Sequence, residues 1–263
     1  MISLPDFSQV DALIREVAEL EILPRFQKLA EGDIREKKPG DLVTIADEGA
    51  ERYLAPRLQA LIPGSVVVGE EEVATDPSVL DRLQGEGTAW VIDPIDGTAN
   101  FAAGRPLFAV MVGIVRNGET LAGWIYDPPR KRMATAQKGA GAWLDDGSRL
   151  KVQKPEGKGI ANNRLIRRLG KNADLVDPQG LDYRCAGHEY LALCTGRAHY
   201  VLHTRLHPWD HVPGELMHRE AGGYSARLDG QPYSPRISDG GLLLTPDGES
   251  WLTLHAALNP PSS

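Results

Sequence analysis

Residues 91–101 read VIDPIDGTANF, preceded by Ala89 and Trp90. The apolar run AWVI delivers the chain as a short buried strand, and acids stand at its end. Asp93 and Asp96 flank Pro94, which has no N–H for a ladder, so a regular strand cannot simply run on. The turn can present the Ile95 carbonyl beside both carboxylates, which gives three oxygen donors within four residues. Gly97 and Thr98 follow at what reads as a helix start, where backbone N–H groups form a seat for phosphate. The Thr98 hydroxyl is placed to orient a water.

Two other segments repeat the design. SVVVGEEE (65–72) reads as a buried strand ending in Glu70, Glu71 and Glu72, and Trp209-Asp210 stands at a strand-to-helix junction. Acids at the ends of buried strands repel one another and lose hydration unless a cation lies among them. Hard oxygen donors of this kind suit Mg²⁺; zinc would call for His or Cys. Plainer readings stand beside these. Asp47 suits the first turn of a helix opened by Thr44, whatever else it does, and an N-cap role for Asp210 is a lesser reading compatible with ligation. Glu72 reads as solvated surface, Lys37 and Lys38 as a solvated charge pair, and Arg164, Arg167 and Arg168 as stems covering a helix face.

Working outward, residues 6–29 place Val10, Leu13, Ile14, Val17 and Leu20 at helical spacing, with Pro24 as an interruption. A polar loop, EGDIREKKPGD, precedes the helix that runs from Thr44 toward Leu61, where Pro63-Gly64 stops it. LFAVMVGIV, TLAGWIYD and RMATAQ are strand-like runs separated by Asn117-Gly118 and Asp127-Pro128, with a further turn at Asp146-Gly147. Past Lys151 the pattern becomes α/β. It gives a basic helix over 162–170, a helix over 187–195, the strand HYVLHTRL, and a helix after Trp209-Asp210 that stops at Ala221-Gly222-Gly223. The tail NPPSS reads as frayed. Hairpin signals outnumber βαβ units in the middle, so the fold class is layered α/β (αβαβα) rather than doubly wound. A mixed, largely antiparallel sheet belongs to residues 1–150 and a smaller α/β half to 151–263, within one domain spanning 1–263.

The chain has 263 residues, 41% of them hydrophobic, enough for a sizeable core without cross-links. A net charge of -7 argues against a nucleic-acid surface. The two cysteines, Cys185 and Cys194, do not make a disulfide framework and read as buried free thiols. Neither a leader peptide nor an apolar run of roughly 18 residues is evident, so a cytoplasmic location without membrane partners is expected.

VIDPIDGTANF resembles the signature of the inositol monophosphatase family. The preceding GEE, the following PWDHVPGELMHREAGG and the early DLVTIADEGAE resemble the family's other three blocks, and the likeness runs over roughly 41–223. The resemblance implies that Glu70, Asp93 and the Ile95 carbonyl hold one Mg²⁺ and that Asp93, Asp96 and Asp210 hold a second. A weaker third ion would lie near Glu70 and Glu71. It implies catalytic roles for Asp47, Thr98 and Glu70, through a metal-activated water attacking phosphorus in line, and a phosphate seat on Gly97 and Thr98. Lithium sensitivity and a homodimer are implied in the same way.

The chain departs from the pattern in two places. Inositol-selective members carry a Glu about seven residues before the final Asp, where this chain has His203, with Arg205 two residues further. Arg184-Cys185-Ala186-Gly187-His188-Glu189 replaces a run of small residues. Ala186, His203 and Arg205 are therefore the candidate substrate contacts. The expected activity is hydrolysis of a small polyol or sugar phosphate, inositol monophosphate first. Fructose 1,6-bisphosphate, a 3'(2'),5'-bisphosphate nucleotide or histidinol phosphate are the alternatives within the family. A non-catalytic regulatory binding protein and a structural cation-binding protein are the rivals outside it.

Overall fold

The computed structural model describes residues 4–259. The reading of the tail as frayed falls largely on 260–263, outside those residues. In chain order the elements are α1 (Phe7–Val17), β1 (Ile34–Lys38), β2 (Asp41–Thr44), α2 (Ile45–Leu61), β3 (Val66–Gly69), α3 (Glu70–Thr75), β4 (Thr88–Asp96) and α4 (Thr98–Ala102). They continue as β5 (Ala109–Arg116), β6 (Glu119–Asp127), β7 (Arg132–Gln137), β8 (Gly141–Leu144), α5 (Asn163–Leu169), α6 (Ala186–Cys194), β9 (Val201–His203), α7 (Pro208–Glu220), β10 (Tyr224–Arg227), β11 (Leu242–Thr245) and α8 (Gly248–Leu258).

β3 to β8 form a six-stranded sheet in sequence order. Only the β3–β4 pair is parallel; the remaining pairs are antiparallel. Asn117 and Gly118, both at positive φ, close the β5–β6 hairpin in the turn geometry that matches strand twist. Period-two alternation then sorts side chains between two cores. Val110, Val112 and Ile114 of β5 join α1 and α2 on one face, while Ala109 and Met111 join α6 and α7 on the other. A second sheet, ordered β10-β11-β9, is antiparallel throughout. Its Leu242 and Leu244 face the α6–α7 core, and Leu243 packs with Trp251 and Leu254 of α8. The layers are therefore helix, sheet, helix, sheet, helix. No helix among the described residues is long and apolar enough to cross a membrane.

Several expectations need correction. The first helix ends at Val17 and continues as a π-turn over Ala18–Ile22, with Leu23 N–H donating to Ala18 O. It does not resume past Pro24. The polar segment read as a loop contains the β1–β2 hairpin, whose alternation is hidden because neither strand buries a continuous apolar face. HYVLHTRL forms a strand only over Val201–His203, with Tyr200 in an isolated parallel bridge to Ala161. β10, β11 and α8 carry no clear sequence signal, being four-residue strands and a helix after a Gly- and Pro-rich stretch.

Candidate active site

β4 is the spine of the site. Every one of its residues is buried, and it pairs with β3 on one side and β5 on the other. The register with β5 shifts between Asp93 and Asp96, which leaves Pro94 and Ile95 unpaired. This bulge lets one strand present two acids to the same space. Asp93 Oδ1 accepts from the Ile95 amide at 3.0 Å, which fixes the turn. Gly97 then takes a left-handed φ of 89°, and a Cβ there would meet Leu107 O at 2.9 Å, so only glycine fits.

Carboxylate oxygens of Asp93, Asp96 and Asp210 lie within 4.8 Å of one another. Asp210 is the third residue of α7, with His207 at the N-cap, so its N-cap reading is corrected. Burial, then the neighbouring acids, hold Asp93 and Asp210 well above the usual carboxylate range. Burial raises Asp96 too, against the donors that grip it. Gly187 N–H donates to its Oδ2 at 2.6 Å, Ala186 N–H to Oδ1 at 3.1 Å, and the Cys185 thiol to Oδ2 at 2.9 Å. The first turn of α6 is thereby tied to the β4 acid. Cys185 precedes α6 and Cys194 ends it, and both are buried free thiols. Burial and then the Asp96 charge push the Cys185 thiol up, which keeps it a donor.

The glutamates open α3 rather than ending β3. Glu51 of α2 accepts from the Glu71 and Glu72 amides, each at 2.8 Å, and so satisfies the start of that helix. Lys37 is not solvated: its Nζ lies 2.6 Å from Glu70 Oε1 and 3.0 Å from Glu71 Oε1. Those acids raise its proton affinity against the opposing effect of burial, which heads the balance. Burial, then the Glu70 charge, raises Glu71 to about 8. Glu72 is surface, as read, paired with Arg82.

Asp47 is fully buried in the first turn of α2. Its Oδ2 accepts from Thr44 N–H at 2.9 Å and from the Thr44 hydroxyl at 2.5 Å, while its Oδ1 accepts from Thr98 Oγ1 at 3.1 Å. Burial raises Asp47 to about 7, with the Glu70 charge adding to that and the Thr44 hydroxyl opposing it. The Thr98 hydroxyl also lies 3.0 Å from Ile95 O. One hydrogen cannot serve both acceptors fully, so this hydroxyl is shared between the acid and the turn.

The residues named for substrate selection fall in different places. Ala186 sits beside Asp96 through its amide. His203 is buried, stacked on Tyr190 with ring centroids 5.5 Å apart, and its Nδ1 lies 3.6 Å from Glu189 Oε2. Burial, then His211, keeps that imidazole neutral. Arg205 lies beyond the end of β9, so the shared strand face does not extend to it. It is exposed and has no ion pair among the described residues. Arg164 does more than cover a helix face, since its Nη1 donates to Leu202 O at 3.1 Å. Sequence reading missed Glu51 and undervalued Lys37; acids packed three in a row at Glu70–Glu72 were the available sign that a cation must stand near.

The sequence model of the inositol monophosphatase family matches residues 6–259. The chain is 30% identical over 207 residues to an inositol-1-monophosphatase of Bacillus subtilis (strain 168), covering 74% of this chain and 76% of that protein. It is 33% identical over 210 residues to an inositol-1-monophosphatase of Mesorhizobium japonicum (74% and 75%), and 32% identical over 243 residues to a Nus factor SuhB of Xylella fastidiosa (88% and 82%). The fold superposes on inositol monophosphatase II from Staphylococcus aureus MSSA476 with a TM-score of 0.80 at 25% identity, covering 97% and 94% of the two chains. The match over nearly the whole length places the chain in the inositol monophosphatase family, as a phosphoric monoester hydrolase.

Proposed function

We propose that this chain hydrolyses the phosphate monoester of a small polyol or sugar, with inositol monophosphate as first substrate, and that it requires Mg²⁺. The observation that carries the reading is the approach of Asp93, Asp96 and Asp210 within 4.8 Å, the first two buried and Asp210 half-buried. The residues fit the ion. Three carboxylates converge, their proton affinities are raised by burial and by one another, and the adjacent Cys185 is a protonated donor rather than a ligand. Asp93, Asp96, Asp210, Glu70, Glu71 and the Ile95 carbonyl would hold two to three ions. When bound, such ions neutralise phosphate charge and make water a better nucleophile.

The chain's own groups supply positioning. Amides of Gly97 and Thr98 support a seat for the phosphoryl oxygens. Asp47, raised to about 7, stands ready to take a proton through the Thr98 hydroxyl, which orients the attacking water. Glu70 joins them as an acid that can exchange Lys37 for another cation. Of the residues named for substrate hydroxyls, Ala186 stands beside Asp96, whereas His203 is buried and Arg205 lies off its strand.

The reading extends to lithium sensitivity, a homodimer, a cytoplasmic setting, and one phosphatase unit over 1–263. The last is supported by α7, which packs between both sheets. The relative named Nus factor SuhB keeps a binding role in view beside hydrolysis. A phosphate-release screen over inositol, fructose, nucleotide and histidinol phosphates, with and without Mg²⁺ and Li⁺, tests the proposal. Release from inositol monophosphate that depends on Mg²⁺ supports it; absence of release from every ester at saturating Mg²⁺ overturns it.

A further inference from the structure

Helix α6 has a second neighbour besides Asp96. His188 and Leu191, spaced i and i+3 on α6, and Thr195 just past its end line a cavity of about 440 Å³. Three arginines, Arg130, Arg132 and Arg197, line it as well, against one carboxylate, Asp127. Their forks are only partly used. Arg130 Nη1 donates to Asp127 Oδ2 at 2.9 Å and to Pro106 O at 3.1 Å, and Arg132 pairs with two carboxylates, its Nη2 with Asp146 Oδ2 at 3.0 Å and its Nε 3.5 Å from Asp145 Oδ1. Arg197 Nε donates to Thr195 Oγ1 at 3.1 Å, and no carboxylate pairs with it among the described residues. The buried His188 imidazole stays neutral chiefly through burial, and Arg130 and Arg197 add to this against Asp127. Arg130 and Arg197 thus both act on the one ring. Below them the lining is apolar, from Leu107, Ala134, Leu144 and Leu191, with Tyr183 beside His188 at 6.1 Å between ring centroids.

Planar guanidinium forks match phosphate oxygens, and an apolar, aromatic lining matches a flat base. We propose that this cavity is a regulatory site for a nucleoside phosphate, separate from the acid cluster. The coupling route is short. The Ala186 and Gly187 amides hold the Asp96 carboxylate, and His188 is the next residue along the same helical turn. A ligand that presses on His188 shifts the turn that fixes Asp96. Binding stands on the cavity alone, whereas the effect on turnover rests on the phosphatase reading.

The test is calorimetry with the non-hydrolysable probe α,β-methylene-ADP in EDTA, on the full chain and on Arg197→Ala, Arg132→Ala and Asp96→Asn. The expected result is saturable 1:1 binding, weakened at least tenfold in each arginine variant and unchanged in Asp96→Asn. With excess Mg²⁺, the probe changes wild-type kcat on p-nitrophenyl phosphate. It leaves Arg197→Ala unaffected, although basal turnover of that variant matches wild type. No binding heat, or binding lost in Asp96→Asn and kept in Arg197→Ala, overturns the proposal. If wild type cleaves no ester while the probe still binds through Arg197, the phosphatase reading fails and the cavity stands.

Discussion

Thr98 Oγ1 donates to Asp47 Oδ1 across 3.1 Å, joining the first residue of α4 to the first turn of α2. This bond links the phosphate-side turn to a carboxyl that titrates near neutrality, at about 7.

If that pair handles the proton, Thr98→Ala lowers kcat by about 10²-fold or more, while Thr98→Ser keeps most of it. Steady-state kinetics on inositol 1-phosphate, with circular dichroism to confirm folding, distinguishes the two. Equal kcat for Thr98→Ala and wild type removes Thr98 from the chemistry.

Asp210→Asn should abolish most turnover yet raise the thermal midpoint of the cation-free protein. The half-buried member of a repelling cluster is neutralised. Wild type should gain stability on adding Mg²⁺, by binding linkage, and the variant should gain much less. Thermal melts in EDTA and in Mg²⁺ check both signs. An Asn variant with the full Mg²⁺ response would count against ion binding at this residue.

Glu189 gives a pH prediction. Burial raises its carboxyl from an ordinary 4.5 to about 7, against the charge of Arg164 and the Asn162 side chain. Between those values the native protein holds the proton and the unfolded chain has released it, so raising the pH favours unfolding. Stability should therefore fall as pH rises from about 4.5 to about 7, by up to roughly 3 kcal/mol from this group. Glu189→Gln should flatten that part of the slope in urea titrations; an unchanged slope places the titration elsewhere.

Gly214 lies inside α7, where a Cβ would run into the Tyr190 ring. Alanine gains up to about 1 kcal/mol of helix propensity. Overpacking a fully buried ring costs about 1–3 kcal/mol, and the clash should win. Gly214→Ala should unfold at lower urea, and pairing it with Tyr190→Leu should restore part of the loss.

The sequence made the chemistry more legible than the outline of the fold. The β4 acids Asp93 and Asp96 stood out because an apolar run precedes them, Asp210 because it follows Trp209 at a helix start, and hairpin signals such as Asn117-Gly118 set the large sheet. The β1–β2 hairpin did not stand out, because its burial comes from packing at the site and its composition is charged. Lys37 looked solvated for the same reason, since a lysine's partner thirty-three residues away leaves no local mark. His203 was assigned to the pocket by its distance from Asp210; its contacts with Tyr190 and Glu189 depend on where α6 lies, which no spacing along β9 discloses.

The central position of β4 has a thermodynamic consequence. Its acids follow a backbone laddered on both sides as far as Ile92 and are themselves paired with β5, so their conformational freedom is surrendered when the chain folds, before any ligand arrives. Association at this strand therefore carries little ordering entropy, and its strength is governed by desolvation and charge.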